Sequence, residues 1–588
     1  MTRTLLVYPK FPPSYWGYDF ALDFVGKKSS MPPLGLLTVA GMLPPEYELR
    51  VADLNVRPLS PQDLMWADVI FTSTMLVQKD SLDEVIRMAR QAGVPVVSGG
   101  PHPTTFHEEI EGADHFILGE VEDVLPRFLK DFQAGRARKI YRAEDKPDVR
   151  RTPLPRYDLI DLDDYGSMAL QFSRGCPFDC EFCDITKLFG RVARTKDNRQ
   201  ILEEMDLLYD LGWRGPIFLV DDNFIGNKRR ALQLLPEIEA WQRRHGYPFS
   251  FFTEASVNLA RMDTLIDRMV NSGFDMVFLG IETPSPKALL KTKKNQNVDH
   301  RDPDFLAKAV SKLQGRGLEV TGGFILGLDG DREDSFDVQI DFIQRAGIPM
   351  AMVGLLTAVK GTDLYHRLQK EGRLLGESTG NNVSIALNFE TELPRETLVE
   401  GYKRVLTTLY DSALRNYFER CLTMFDNLAP NKTAVRKVRL TEVRALLRSI
   451  RRQVFSRQGP AYLKFFVKVL RRHPRMFPEA GRLAIMGYHF QKVTSQQIAV
   501  HDFRRSIEKE LALFRDRLQA FERTSTQNLS DLRRYLHELL RRISTQYDQI
   551  DEEFRENVAD ALEAFQDALR CHLSHLDLPA PDFPRPRS

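Results

Sequence analysis

Three of the five cysteines fall within eight positions, in SRGCPFDCEFCD (173–184), spaced C-x3-C-x2-C: Cys176, Cys180 and Cys183. Thiolates select iron–sulfur clusters, zinc or copper. A closed structural zinc site takes four ligands, usually as two separated pairs, and a ferredoxin-type cluster also takes four cysteines. The remaining cysteines, Cys421 and Cys571, stand far down the chain in predicted helices. Three cysteines on a four-iron cluster would leave one iron open to a substrate or cofactor. The spacing alone weighs zinc and iron–sulfur about evenly. The position of the triplet, on the loop after the first strand of a β/α array, favours iron.

That array is read from periodicity. SMALQFS (167–173), PIFLVDD (216–222), FSFFTEA (249–255), MVFLGIE (276–282), VTGGFILG (320–327) and MAMVGLLTA (350–358) read as strands with helical segments between them. Six consecutive β–α units imply a parallel barrel or an open partial barrel over 167–385, where chemistry sits at the carboxyl ends of the strands. Polar residues concentrate there: Asp221, Asp222 and Asn223, then Glu254, Glu282 and Asp329. Helix capping accounts for Asp or Asn before NKRRALQLL as well as ligand binding does. Glu254 and Glu282 are costly to bury without a partner, so contact with an amine or a ribose is expected of them. Upstream, TLLVYP (4–9), YELRVAD (47–53), DVIFTST (68–74), VPVVSGG (94–100) and HFILGE (115–120) are apolar strands alternating with helices. Residues 1–150 therefore form a doubly wound α/β domain. Residues 151–166 read as a linker, 386–498 as helical, 499–575 as a charged helical tail with weak heptad character, and 576–588 as a disordered end.

The C-x3-C-x2-C triplet with Phe182 before its last cysteine resembles the radical S-adenosylmethionine (SAM) superfamily. That resemblance implies a partial (β/α)6 barrel and a [4Fe-4S] cluster on Cys176, Cys180 and Cys183. The open iron would chelate SAM, whose reductive cleavage yields a radical able to remove hydrogen from an unactivated carbon. It also places Asp221, Asp222 and Asn223 where the SAM amino group or ribose is recognised. Glu254 and Glu282 become contacts at neighbouring strand ends, and GGFILGLDGD (322–331) an adenine-side strand. An external low-potential donor of the flavodoxin or ferredoxin type is implied.

The first domain resembles a cobalamin-binding domain. Ser73 and Met75 in STM (73–75), and Gly99, Gly100 and His102 in SGGPHPT (98–104), carry the likeness, with MPPLGLLTVAGML (31–43) and Glu120 in ILGEVEDVL (117–125). The Asp-x-His-x-x-Gly loop that supplies a histidine to cobalt in other cobalamin enzymes is replaced by PKFPPSYWG after the first strand. Histidine ligation is thereby put in question while cobalamin binding is not, and His102 reads as a loop contact. The methylthiotransferase branch needs further cysteines in this domain, and residues 1–175 hold none. CEFCDITKLFGR, FLVDDNFIGN, GIETPSP, FILGLDGD and IMGYHF (485–490) extend the resemblance, over roughly residues 1–493, to cobalamin-dependent radical SAM enzymes such as hopanoid C2 methylases. The expected activity is methyl transfer to an unactivated carbon of a small-molecule or lipid substrate. Cyclisation, rearrangement or oxidation without methyl transfer, and a cobalamin-binding sensor without enzymatic activity, are the alternatives.

Formal net charge is +1, and no run approaches a membrane span. Few, clustered cysteines point to a reducing compartment, so a cytoplasmic protein is expected. Residues 430–492 depart from the average, with sixteen Lys/Arg against two Asp/Glu, interleaved with aromatics (AYLKFFVKVLRRHPRMF). Three readings compete there. It could be a face resting on anionic lipid at the inner side of a membrane, a nucleic-acid surface, or a solvated face packed partly against the acidic tail. Alternation of Phe, Leu and Val with the cations sets lipid ahead of nucleic acid.

Overall fold

The structure, a computed structural model, describes residues 2–430, 440–523 and 529–574. The chain divides into two compact units, Met1–Phe490 and Gln491–Ser588.

The first unit holds two parallel sheets. One contains β1 (Thr2–Tyr8), β2 (Tyr47–Asp53), β3 (Val69–Ser73), β4 (Val96–Gly99), β5 (His115–Leu118) and β6 (Ile140–Arg142), in the order β2-β1-β3-β4-β5-β6. Alternation along β1 sends Leu5 and Val7 to one face, against Val85 and Ile86, and Leu6 to the other, against Val39 and Phe128. A strand buried on both faces favours apolar residues at successive positions, which is why Leu5, Leu6 and Val7 run together. The strand order reverses between β1 and β3, the switch point where such sheets bind ligands.

The other strands are β7 (Met168–Leu170), β8 (Ser173–Arg174), β9 (Arg194–Thr195), β10 (Pro216–Leu219), β11 (Ser250–Ala255), β12 (Phe274–Glu282), β13 (Glu319–Leu326) and β14 (Ala351–Leu355). Six of them form an open, all-parallel sheet in the order β14-β13-β12-β11-β10-β7, the partial barrel expected from the sequence. Along β12, Val277, Leu279 and Ile281 are fully buried. The alternate positions Phe278, Gly280 and Glu282 therefore share the opposite face.

Several boundaries differ from the sequence reading. SMALQFS is two strands: β7 ends at Leu170, and Ser173–Arg174 pairs antiparallel with β9 instead. The carboxylate of Asp221 accepts the N–H groups of Phe172 and Ser173, both at 2.8 Å, and so takes the place of a strand partner there. The edge strand β6 was not anticipated, because KIYR alternates too briefly to register. Residues 151–166 contain short 3-10 turns over Tyr157–Leu159 and Leu162–Asp164.

Helices Arg395–Leu409, Arg415–Asn427, Leu440–Val454 and Gly459–Arg472 complete the first unit, followed by the start of Phe477–Arg523. The second unit is helical, with Leu529–Tyr547 and Glu552–Ser574 after the end of Phe477–Arg523. The expected charged tail is three helical segments, which bury Phe503, Ile507, Leu539, Ile543, Phe554, Val558 and Phe565. Arg542 pairs with Glu510 at 3.0 Å and Arg504 with Asp560 at 2.6 Å. The expected disordered end, 576–588, lies outside the described residues.

Candidate functional site

The cysteine loop leaves β8 through Gly175, whose φ of +93° is open to glycine and whose missing Cβ would lie 2.8 Å from the carbonyls of Gly190 and Val192. Asp222 fixes this start by accepting the Gly175 N–H at 2.9 Å, and Cys176 N–H reaches the Gly190 carbonyl at 3.2 Å. Further on, Glu181 N–H donates to the Thr292 carbonyl, and Cys183 N–H closes a turn onto Cys180. All three thiols are free and partly exposed. Among the described residues no three Cys, His, Asp or Glu side chains close on a single-ion position. A four-iron cluster spaces its ligands more widely than one ion does. Amide donors are aimed at two of the sulfurs: Asn223 Nδ2 stands 3.7 Å from Cys176 Sγ and Gln296 Nε2 3.5 Å from Cys180 Sγ. Burial pushes the thiols of Cys176 and Cys183 up, so a bound cation is what would hold them as thiolates. Three thiols on one loop with donors to their sulfurs fit an iron–sulfur cluster.

Beside the loop, carboxyls gather at the ends of β10–β12. Burial, reinforced by the Asp222 charge, pushes Glu254 up to about 8, and among the described residues no hydrogen bond engages it. Asp222 is pushed up to about 6, again chiefly by burial. Glu282 turns into the site with a φ of +65° and pairs with buried Lys294. A Cβ on Gly280 would lie 2.7 Å from both the Glu282 carboxylate and the Lys294 ammonium, so only glycine leaves room for that pair. Desolvation would lower Lys294, but Glu282 and the thiols of Cys180 and Cys183 overcome it and raise it. The ammonium also lies 5.7 Å from the Phe182 ring centroid. A ligand carrying an ammonium and a sulfonium would draw these carboxyls into their charged form and be held by them.

The sequence-predicted residues thus divide. Glu254 and Asp222 belong to the carboxyl cluster. Asn223 backs the cysteine loop, also bonding Ser256. Asp221 is buried and accepts from the N–H groups of Phe172 and Ser173 and from the Ser173 hydroxyl, so it clasps the loop from behind. Glu282 is committed to Lys294. The segment KTKKNQN (291–297), which carries Lys294 and Gln296, was missed; its only sequence signal is an uncapped cationic run after GIETPSP.

At the carboxyl edge of the first sheet, Gly100 (φ +99°) packs so closely that a Cβ would fall 2.7 Å from Thr74 N and 2.8 Å from Thr74 O. A Cβ on Gly99 would meet the Ile117 carbonyl at 3.2 Å. Ser73 ends β3, Met75 is half exposed, and the buried Thr74 hydroxyl has no partner among the described residues. A close-packed backbone ledge at the carboxyl ends of β3 and β4, beside the switch point and with a buried hydroxyl unpartnered among the described residues, fits a large planar cofactor with a nucleotide tail. His102 donates its backbone N–H to Thr74 O at 3.0 Å, while its ring is buried against Phe106 and pushed down to about 4 by desolvation. Glu120, expected near the cofactor, instead pairs with Arg194 at 2.7 Å and Arg174 at 3.0 Å, and Glu122 joins Arg174 at 2.7 Å. Buried carboxylates need such partners, and these carry the end of β5 onto the cysteine-loop hairpin. Lys360 to Glu109, at 2.6 Å, is a second tie. The carboxyl edges of the two sheets therefore face each other.

A cobalamin-type α/β sheet set against a partial barrel with three open-loop cysteines defines a cobalamin-binding radical SAM architecture. Family models agree in order along the chain: a B12 binding domain over residues 27–129, the Radical SAM superfamily over 170–343, and a domain of unknown function (DUF4070) over 362–502. An uncharacterized methyltransferase of Synechocystis sp. is 44% identical over 505 residues, covering 84% of this chain and 93% of the relative. The hopanoid C-2 methylase of Rhodopseudomonas palustris is 33% identical over 422 residues, 71% of this chain and 78% of that protein. Among solved structures, the cobalamin-dependent SAM radical enzyme OxsB matches with a TM-score of 0.55 at 14% identity, covering 93% of this chain and 84% of that one. The methyltransferase TsrM from Kitasatospora setae matches with a TM-score of 0.54 at 15% identity, covering 83% and 99%. The chain belongs to the cobalamin-dependent radical SAM methyltransferase family. Its cofactors are a [4Fe-4S] cluster, SAM and cobalamin. Among the described residues no helix is long and apolar enough to cross a membrane.

Proposed function

We propose that the enzyme methylates an unactivated carbon of a polycyclic, terpenoid-like lipid. The observation that carries this is its 33% identity to a hopanoid C-2 methylase over 71% of the chain. The barrel supports it with an aromatic wall: Phe218 and Phe252 stack at 4.7 Å on β10 and β11, and Phe278 on β12 meets Trp16 at 4.8 Å. Flat apolar surfaces of that kind suit fused rings and offer polar substrates little.

In this reading Cys176, Cys180 and Cys183 hold the cluster, with Asn223 and Gln296 bonding its sulfurs. Glu254 and Asp222 take the cationic groups of SAM. Lys294, neutralised in part by Glu282, keeps a positive charge beside the cluster. Ser73, Gly99 and Gly100 seat cobalamin. When bound, these groups supply hydrogen abstraction from the substrate and a methyl group for the resulting carbon. The facing sheet edges hold both cofactors toward one space, and the aromatic wall orients the substrate in it. The electron comes from a flavodoxin- or ferredoxin-type donor. The enzyme works in the cytoplasm, in peripheral contact with the membrane through residues 430–492.

The test is anaerobic incubation with methyl-labelled SAM, cobalamin, a low-potential donor and a bacterial lipid extract. Label in a polycyclic lipid is the expected outcome. Deoxyadenosine formation with label only in water-soluble products would sink the lipid assignment.

A further inference from the structure

The helices Leu440–Val454 and Gly459–Arg472 are apolar on both sides. Their inner faces are ordinary core. Ala445, Ser449 and Gln453 are buried, Ser449 Oγ meets the Tyr462 hydroxyl at 3.2 Å, and Gln453 donates to the Ala484 carbonyl at 2.9 Å. Tyr462, Phe465, Phe466 and Val469 line the second helix, with Phe465 stacked on Phe418 at 4.7 Å.

The outer faces repeat the pattern toward solvent. Leu440, Val443, Leu447 and Ile450 recur at intervals of three and four, as do Leu463, Val467 and Leu470, and all are exposed. Phe455, in the turn between the helices, is 87% exposed. Leaving eight large apolar side chains in water on one helical hairpin is what interaction surfaces do.

The charges around them say what covers the surface. Residues 440–476 carry ten Lys/Arg and one acid, Glu442. Arg448 and Arg452 are engaged at Asp23 and Phe24, and Arg472 lies 3.8 Å from Asp426. Arg444, Arg451, Arg457, Lys464, Lys468, Arg471 and Arg475 make no ion pair among the described residues. Nucleic acid would answer these cations and leave the apolar stripes wet. An anionic lipid surface answers both, phosphates for the cations and the acyl boundary for the stripes.

We propose that this helical hairpin is an interfacial anchor that seats the enzyme on anionic lipid, with Phe455, Leu447 and Leu463 entering the acyl boundary. It deepens the lipid-substrate reading by naming the surface from which substrate is reached, and it can be tested apart from it.

The experiment is co-sedimentation of the full chain with vesicles of phosphatidylcholine alone or mixed with phosphatidylglycerol, free of terpenoid. Binding is expected on the anionic vesicles only. Arg451→Gln/Lys464→Gln should weaken it about twenty-fivefold, at about fivefold per cation. Phe455→Ser/Leu463→Ser should weaken it at least tenfold, with unfolding temperature and reductive SAM cleavage unchanged in both variants. Equal binding to neutral vesicles, or none to either, overturns the anchor. So does binding that the charge variant loses and the apolar variant keeps, which is adsorption without insertion. Dimerisation abolished by Phe455→Ser/Leu463→Ser, without vesicle binding, makes the occupant a second copy and also overturns it. Vesicle binding without lipid methylation defeats the substrate reading alone; methylation in detergent without vesicle binding defeats the anchor alone.

Discussion

At the scale of single residues, the site is built from carboxyls that burial keeps from ionising freely. Glu254 is the clearest. Its folded value, about 8, lies above the ordinary carboxylate range, and burial is the main cause. A raised carboxyl value means the folded state binds the proton more tightly, so this group's stabilisation is present below about pH 4.5 and is lost as pH rises through about 8. Glu254→Gln removes that titration. The variant's apo-protein should therefore lose less unfolding temperature between pH 5 and 8 than the wild type, and should bind SAM about tenfold more weakly by equilibrium dialysis. Parallel temperature–pH curves would count against a buried, unpaired Glu254. The sequence announced the three cysteines and this glutamate by spacing and strand-end position. It did not announce Lys294, because a lysine in KTKKNQN reads as solvated until Glu282 turns back at positive φ to meet it.

At the scale of elements, the loop after β1 shows what a motif's absence means. The first 101 residues contain no histidine. PKFPPSYWG instead sends Tyr15 onto Phe490, ring centroids 4.9 Å apart, and Trp16 onto Phe278 of the barrel. Its backbone is held as well, since the buried ring of His489 meets the Tyr15 carbonyl at 3.3 Å. The loop therefore joins sheet to barrel and offers cobalt no imidazole. Cobalamin in its Co(II) state on this protein should give an electron paramagnetic resonance spectrum without nitrogen hyperfine splitting from a protein ligand; a histidine-split spectrum would point instead to His102 swinging out of its pocket. The departure from the Asp-x-His-x-x-Gly pattern was legible in the sequence, and the aromatic contacts that replaced it were not. They join residues more than 250 positions apart.

At the scale of the molecule, the two sheets of the first unit must be held edge to edge for one cofactor to serve the other. Glu120 does this with Arg174 and Arg194, largely buried. Removing one member of a buried ion pair strands its partners, at a cost of about 3–5 kcal/mol. Glu120→Ala should lower the urea midpoint accordingly while leaving iron content of the reconstituted protein intact. A wild-type midpoint would show that the ties at Glu122 and Lys360 suffice. The sequence reading had placed Glu120 at the cofactor, since a carboxylate after a strand end looks the same whether it faces a ligand or an arginine on another sheet.

What the sequence determined by itself is local or periodic: apolar runs buried on both faces made β1–β5, β/α alternation made the barrel, and eight positions of spacing marked the cluster. Tertiary structure decided which polar groups are already spent. Asp221 clasps backbone, Glu120 binds two arginines, Glu282 holds Lys294, and Glu254 is left without a hydrogen-bond partner among the described residues. Burial and pairing depend on residues distant in the chain, and a carboxylate's chemistry is fixed by those partners, not by its position in a motif.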